Sequence, residues 1–442
     1  MMKRKLASRM FACRSNAPSH PRRRHSIRSV SCSPSSLSIY VHWPFCSRIC
    51  PYCDFNRYLA ADVDEERMLR CFRSELDHFY FHFGDSAVKD RKVTSVFFGG
   101  GTPSLASPKI FGGIMEHINK RWNVAADVEV TMEANPTSAE AKKLKDFKQS
   151  GVNRVSIGVQ SLREDDLAFL GRAHSVQEAK RVIEGALGLF DRVSFDLIYA
   201  RHGKQTPELW RQELQEAVKL GTSHLSLYTL TLEPGTEFYR RALHPSISDS
   251  RKPKVEWVEN DFAADLYEVT QQVTSAAGFK QYEVSNFAMD GQQCRHNLAY
   301  WHSEDWIGAG PGASGRLTDG NNVRYAFKQV KHYNKWMESV EGKGHGIDEH
   351  ETLTTEERIT EVLLNGLRLC QGISEQRFKQ HSNGLSFDQA FGEDKIQTLI
   401  TEGFLERGGR GGKEEELSLH PTQRGMLVLD SVLRFLLPPK NY

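Results

Sequence analysis

The sequence predicts an α/β fold: six successive strand and helix units forming an open, partial (β/α)6 barrel of the TIM-like kind, then a helical, winged-helix-like extension. Three observations predict it. From Leu37 onward, short β-branched or apolar runs alternate with longer amphipathic stretches, the pattern of βαβ units on a parallel sheet. The 442 residues are 39% hydrophobic and 26% charged, enough for a large core, and at about 150 residues per domain they suggest roughly three units. After about residue 345 the alternation gives way to helical stretches and a short hairpin pattern. The same composition excludes a disordered or disulfide-stapled chain, and no apolar run approaches the roughly 18 residues of a membrane-spanning helix.

In chain order, strands are expected at Leu37 to His42, Val93 to Phe98, Val128 to Glu133, Arg154 to Val159, Val193 to Ile198 and His224 to Leu230. Helices are expected between them at Glu65 to Phe83, Pro108 to Trp122, Ala139 to Gln149, Val176 to Phe190 and Pro207 to Leu220. Six units fall short of a closed barrel's eight, so the strand C-terminal ends should face one open mouth and functional residues should follow strands directly. A further helix, Val258 to Ala277, leads through Tyr282 to Phe287 into a Gly-rich loop, Gly308 to Gly315. Thr354 to Cys370 and Gly384 to Glu406 read as helical, Gly408 to Gly412 with Leu417 to Leu419 as a hairpin, and Pro421 to Leu436 as a last helix. The chain thus divides into residues 1–36, a barrel over 37–285, a connecting segment over 286–345 and an extension over 346–442.

Residues 1–36 hold nine Lys or Arg and no acid, so the formal +2 of the whole chain becomes −7 for the remainder. An acidic body argues against non-specific nucleic-acid binding. The opening stretch is rich in Arg and Ser, broken by Pro18, Pro21 and Pro34, and lacks the apolar run of a secretory signal. It reads as a mitochondrial transit peptide, cleaved before Leu37. A basic tail or nuclear signal centred on Arg22, Arg23 and Arg24 is the alternative.

Of eight cysteines (Cys13, Cys32, Cys46, Cys50, Cys53, Cys71, Cys294, Cys370), only Cys46, Cys50 and Cys53 cluster, as C-x3-C-x2-C directly after the first strand. Pro44 and Pro51 keep that stretch irregular, so the loop can curl and aim three thiolates at one centre. Three ligands on a four-iron cluster leave one iron open for a small molecule, as an open position separates a catalytic zinc from a structural one. A zinc ion with Asp54 or His42 as fourth ligand is the alternative. Cys71, Cys294 and Cys370 read as buried thiols.

These residues resemble the radical S-adenosylmethionine (SAM) superfamily. The surrounding Tyr40-Val-His-Trp-Pro-Phe-Cys46 is similar to the branch holding oxygen-independent coproporphyrinogen oxidase (HemN) and the heme chaperone HemW, and the likeness extends from Leu37 to Leu437. It implies a radical SAM barrel with a [4Fe-4S] cluster whose unique iron takes the amino and carboxylate groups of SAM.

Other motifs fall at the ends of successive strands. Gly99-Gly100-Gly101-Thr102-Pro103 lets a ligand approach the backbone and offers its amides and carbonyls, although a tight turn accounts for it equally; the Lys of a Walker loop is absent. Glu133 ends the third strand, where a carboxylate can accept from a ribose or an ammonium group or merely cap a loop. Gln160 ends the fourth, Asp196 lies in the fifth, and Arg172 is either a helix-end surface residue or a carboxylate clamp. By resemblance, Gly100, Gly101 and Thr102 bind the SAM amine, and Tyr40, Glu133, Gln160, Arg172 and Asp196 complete its pocket.

HemN carries a fourth cysteine two residues beyond the third; here that position is Phe55, as in HemW-like chains. His296-Asn-Leu-Ala-Tyr-Trp301 offers an imidazole suited to heme iron, and Tyr300 and Trp301 to stack on a porphyrin, or else a loop His with two core aromatics. It resembles the HNxxYW signature of HemW, which implies heme binding with His296 as axial ligand and Cys294 as the lesser candidate. Two departures are Asp196-Leu-Ile-Tyr-Ala-Arg-His-Gly203 in place of the usual Gly-Leu-Pro, and Ser314 where HemW-like chains often have His.

The expectation is therefore a mitochondrial heme chaperone that passes heme to a recipient hemoprotein, with cluster and SAM as regulators and no substrate turnover required. A homodimer and peripheral membrane contact are compatible with it. The rival is a radical SAM enzyme acting on a porphyrin, in which a 5′-deoxyadenosyl radical abstracts hydrogen. Nucleic-acid binding by residues 350–437 is disfavoured, because Glu414, Glu415 and Glu416 directly follow the basic run Arg407 to Lys413.

Overall fold

The computed structural model describes residues 36–59, 62–82, 88–202, 204–244, 254–408 and 417–437. The expected transit peptide (up to residue 35) and the tip of the expected hairpin (409–416) lie outside the described residues.

Six parallel strands cross the main sheet in chain order: β1 (Ser36–Trp43), β2 (Lys92–Gly100), β3 (Asn123–Ala134), β4 (Arg154–Gln160), β5 (Arg192–Tyr199) and β6 (His224–Thr229). Between them run α1 (Glu65–His82), α2 (Pro108–Arg121), α3 (Ser138–Ala141), α4 (Leu144–Gln149), α5 (Glu164–Phe169), α6 (Val176–Leu187) and α7 (Pro207–Val218), and after β6 come α8 (Glu237–Leu243) and α9 (Asn260–Ala276). Local chemistry sets several of these starts. Ser175 and Glu178 form a reciprocal capping box on α6, and Thr206 caps α7 ahead of Pro207, whose missing N–H costs nothing in a first turn.

β1 is paired on both sides, so the barrel stays open. Beyond β6 lie antiparallel β7 (Lys280–Glu283) and β8 (Asn286–Ala288), followed in the chain by α10 (Arg295–Trp301). On the far side of β1, β9 (Trp306–Ala309) runs parallel to it, then antiparallel β10 (Ser314–Thr318), β11 (Arg324–Gln329) and β12 (Ile347–Thr352), with α11 (Tyr333–Lys343) between the last two. The sheet has twelve strands, in the order β12-β11-β10-β9-β1-β2-β3-β4-β5-β6-β8-β7.

The expected Gly-rich loop over Gly308 to Gly315 is thus two strands and a turn. Its glycines are required by close approach: a Cβ on Gly308 would lie 2.2 Å from the Ser314 carbonyl oxygen, and one on Gly315 2.1 Å from the Phe327 ring. The single helix expected over Ala139 to Gln149 is broken into α3 and α4 around Lys142 and Lys143.

The C-terminal part contains α12 (Thr355–Gly366), β13 (Ile373–Ser374), α13 (Glu375–His381), α14 (Phe387–Phe391), α15 (Glu393–Thr401), β14 (Leu405–Arg407), β15 (Ser418–Pro421), α16 (Gln423–Leu427) and α17 (Leu429–Leu436). The expected 384–406 helix is split at Gly392 (φ +90°) and followed by a strand; the last expected helix is split at Val428; α13 has no counterpart in the sequence reading. Its core gathers Leu363, Phe378, Ile396, Leu405, Leu419 and Val432, separate from the large core around the main sheet.

Buried charge joins the two through Glu361 of α12, which pairs with Arg316 of β10 at 2.8 Å and with Arg324 of β11 at 3.5 Å. Within the main sheet, Asp305 accepts from Arg91 and from Arg324 at 2.5 Å each. These side chains carry charge into a low-dielectric interior, so each depends on its partner.

Candidate functional site

A cavity of about 360 Å³ occupies the partial barrel, and all twelve side chains or glycines singled out in the sequence lie on its wall: Tyr40, Cys46, Cys50, Cys53, Gly100, Gly101, Thr102, Glu133, Gln160, Arg172, Asp196 and His296. The cysteine loop closes the mouth at the strand C-terminal ends. At the other end, α10 plugs the barrel.

A small apolar cluster seats the cysteine loop. Tyr52 packs on Phe238 with ring centroids 6.3 Å apart, Phe238 N–H donates to the Pro51 carbonyl at 3.0 Å, and Cys50 and Cys53 lie against the same cluster. Burial pushes the Cys53 thiol up to about 11 and raises Cys46 as well. Arg172 donates to Cys50 Sγ at 3.2 Å, to Asn135 Oδ1 at 2.6 Å and to the Gly158 carbonyl at 2.8 Å, so its guanidinium sits beside the thiol loop. Thr102 Oγ1 lies 3.5 Å from Cys46 Sγ.

His42, weighed as a zinc ligand, is already engaged: Nδ1 meets the Tyr40 hydroxyl at 3.0 Å and Nε2 the Asn56 carbonyl at 2.8 Å. Asp54 does not line the cavity. Among the described residues no three His, Cys, Asp or Glu side chains form a group that could hold a single metal ion.

The amides of the glycine motif are engaged within the protein. Gly100 N–H donates to Glu133 Oε2 at 3.1 Å, Gly101 N–H to the Trp43 carbonyl at 2.7 Å and Thr102 N–H to the Phe45 carbonyl at 2.8 Å. The three amides are therefore spent on Glu133 of β3, on the end of β1 and on Phe45 ahead of Cys46, which leaves the carbonyls of the motif for a ligand and suits an amine. Gly100 has φ +114°, and a Cβ there would strike the His42 ring at 2.4 Å. Gln160 holds a left-handed φ of +74°, and its buried Oε1 has no hydrogen-bond partner among the described residues, so an acceptor is left on the cavity wall. Asp196 accepts from Ser156 Oγ at 3.3 Å.

His296 lies on the cavity floor, 2% exposed, stacked on Phe97 at 5.1 Å and Tyr40 at 6.2 Å. Its Nδ1 is 2.9 Å from Ser95 Oγ, and Ser95 donates its own proton to Ser38. With the Ser95 proton on Ser38, Nδ1 donates and Nε2 accepts from the Tyr300 hydroxyl, 2.9 Å away. Trp301 lines the cavity as well, almost wholly buried, with the Arg368 guanidinium 4.5 Å from its ring centroid. Cys294 donates to the buried Glu129 at 3.4 Å.

The departure after β5 is explained. Arg201 is buried behind the wall, bonded to Glu213 and Asp166 at 2.6 Å each, and His202 meets Asp166 at 2.8 Å. These residues tie the end of β5 to α5 and α7. Ser314 lines the cavity.

The sequence reading missed Asn135, Arg154, Ser156 and His224, all on the cavity wall. Period-two alternation along β4 would have found two of them, since Arg154, Ser156, Gly158 and Gln160 share one face. Burial works against the Arg154 charge, but Cys294, Glu129, Tyr282 and Asp196 around it favour it more strongly and raise its pKa.

Comparisons with known proteins agree with this architecture. Residues 40–211 match the Radical SAM superfamily and residues 353–428 the HemN C-terminal domain. Over 427 residues the chain is 42% identical to the mitochondrial radical S-adenosyl methionine domain-containing protein 1 of Dictyostelium discoideum, covering 90% of this chain and 93% of that protein. Over 406 residues it is 35% identical to the heme chaperone HemW of Escherichia coli (strain K12), covering 91% and 98%. In fold it is similar to the solved structure of coproporphyrinogen III oxidase (HemN) from Escherichia coli, with a TM-score of 0.72, 20% identity and coverage of 92% and 91%. The chain therefore belongs to the radical SAM superfamily, in the family that includes HemW and the mitochondrial radical S-adenosyl methionine domain-containing protein 1.

Proposed function

We propose that this protein is a mitochondrial heme chaperone, which binds heme and delivers it to a recipient hemoprotein without coproporphyrinogen oxidase activity. The observation that carries the reading is that α10, with His296 and Tyr300, lines the same cavity as the three clustered cysteines. Phe55 in place of a fourth cysteine, and the relatives named heme chaperone, support it. Residues 1–36 would direct import, in keeping with relatives named mitochondrial.

In this reading Cys46, Cys50 and Cys53, which share the cavity mouth, would hold a [4Fe-4S] cluster. Once bound there, the cluster would supply an iron site to which SAM can bind. Arg172 steadies the Cys50 sulfur, the carbonyl edge of Gly100 and Gly101 and the Glu133 carboxylate receive the SAM amine, and Gln160, Tyr40 and Asp196 supply polar contacts to the nucleotide. His296 presents the Nε2 lone pair that an iron would take, with Ser95 fixing the tautomer from behind; the Tyr300 hydroxyl gives way on binding.

The test is titration of hemin into anaerobically reconstituted wild type and His296→Ala, followed at the Soret band. Wild type should saturate and the variant should bind at least about tenfold more weakly, since one axial bond is lost. Equal affinity would remove His296 from the site. Stoichiometric 5′-deoxyadenosine with coproporphyrinogen as substrate would replace the chaperone by an oxidase.

A further inference from the structure

Arg154 is the first residue of β4, 2% exposed and on the cavity wall. Among the described residues, four other arginines are buried to 2% or less, and each pairs with a carboxylate: Arg91 and Arg324 with Asp305, Arg201 with Glu213, Arg316 with Glu361. Arg154 pairs with no described carboxylate. Its one side-chain hydrogen bond among these residues runs from Nη2 to the neutral Ser194 hydroxyl at 3.1 Å.

The acids around it are committed elsewhere. Glu129 pairs with Arg192 at 2.8 Å and accepts from Cys294 Sγ and from His296 N–H, while Asp196 accepts from Ser156. A desolvated guanidinium with donors to spare, facing a cavity, is a poor structural element and a good receptor: its planar fork matches a carboxylate.

Its position fixes which end of the cavity it serves. Arg154 sits opposite Thr131 of β3 and Arg192 of β5, and Glu129, two residues before Thr131, is bonded to the His296 backbone. Arg154 and the His296 imidazole therefore share the barrel floor, away from the cysteine loop.

We propose that Arg154 anchors a carboxylate of the ligand held in the barrel, and, on the heme reading given above, one of the two propionate side chains of the macrocycle. The anchor limits orientation: with iron at His296 Nε2, pairing one propionate with Arg154 would turn the propionate edge of the ring toward the start of β4.

The experiment compares heme with its neutral dimethyl ester on reconstituted full-length protein. Wild type should bind heme at least about tenfold more tightly than the ester, the span expected for one charge-assisted pair. Arg154→Gln should lose that preference while its affinity for the ester stays unchanged, and Arg154→Lys should keep part of it. Saturable ester binding by Arg154→Gln shows that the variant is folded, and a variant that keeps the full preference for heme overturns the anchor. Absence of saturable binding of either probe to wild type strikes the heme reading itself, whereas ester binding without any preference for heme strikes only Arg154.

Discussion

At the residue scale, two substitutions separate packing from ligation. Gly100→Ala places a methyl group against the His42 ring at a position whose φ of +114° already disfavours any side chain. It should cost about 1 to 3 kcal/mol, read as a lower urea midpoint, and should weaken SAM binding by disturbing the Tyr40 and His42 pair. An unchanged midpoint would mean the loop yields freely. Tyr300→Phe removes the hydroxyl that occupies His296 Nε2. On the proposed function it should bind heme at least as tightly as wild type; weaker binding would show that the hydroxyl contacts the ligand. The residues named in these tests were legible in the sequence because motifs mark them. Arg154 was not, since an Arg at the start of a strand carries no signature until its partners can be counted.

At the element scale, a single carboxylate pins the added strands to the barrel. Glu75 of α1 is fully buried and accepts from Gly310 N–H at 2.7 Å, Gly346 N–H at 2.9 Å and Trp336 Nε1–H at 2.9 Å. Burial outweighs these three donors and pushes its pKa up to about 7 from an ordinary 4.5. The folded chain then holds this proton more tightly than the unfolded one, so the contribution is complete below pH 4.5 and lost as the pH rises through about 7. The stability difference between wild type and Glu75→Gln should shrink across that window by up to about 3 kcal/mol, measured as urea midpoints from pH 4.5 to 8. A flat difference would place the proton elsewhere. Nothing in the sequence singles out Glu75, whose neighbours on α1 look like an ordinary amphipathic face.

At the scale of the whole molecule, the extension is held by buried charge as well as by apolar contact. Glu361 reaches from the extension to Arg316 and Arg324; within the sheet itself, Asp305→Ala would leave Arg91 without its carboxylate and Arg324 with Glu361 alone, and should cost about 3 to 5 kcal/mol in urea unfolding. Glu361→Gln should chiefly raise hydrogen exchange in α12, whose Glu361 and Asn365 face the cavity. Exchange confined to the barrel would show that the extension does not depend on this pair.

The sequence by itself determined the six β–α units, their order and the residues at the mouth, because period-two and period-3.6 patterning and the C-x3-C-x2-C spacing are local properties of the chain. Only the tertiary structure decided that residues 306–352 widen the sheet on the far side of β1, that α10 plugs the barrel with His296 inside it, and that Arg154 bonds a neutral hydroxyl rather than a carboxylate. Those facts depend on which distant backbone fills an open strand edge and which buried charges meet, and such long-range pairings leave no periodic trace in the chain.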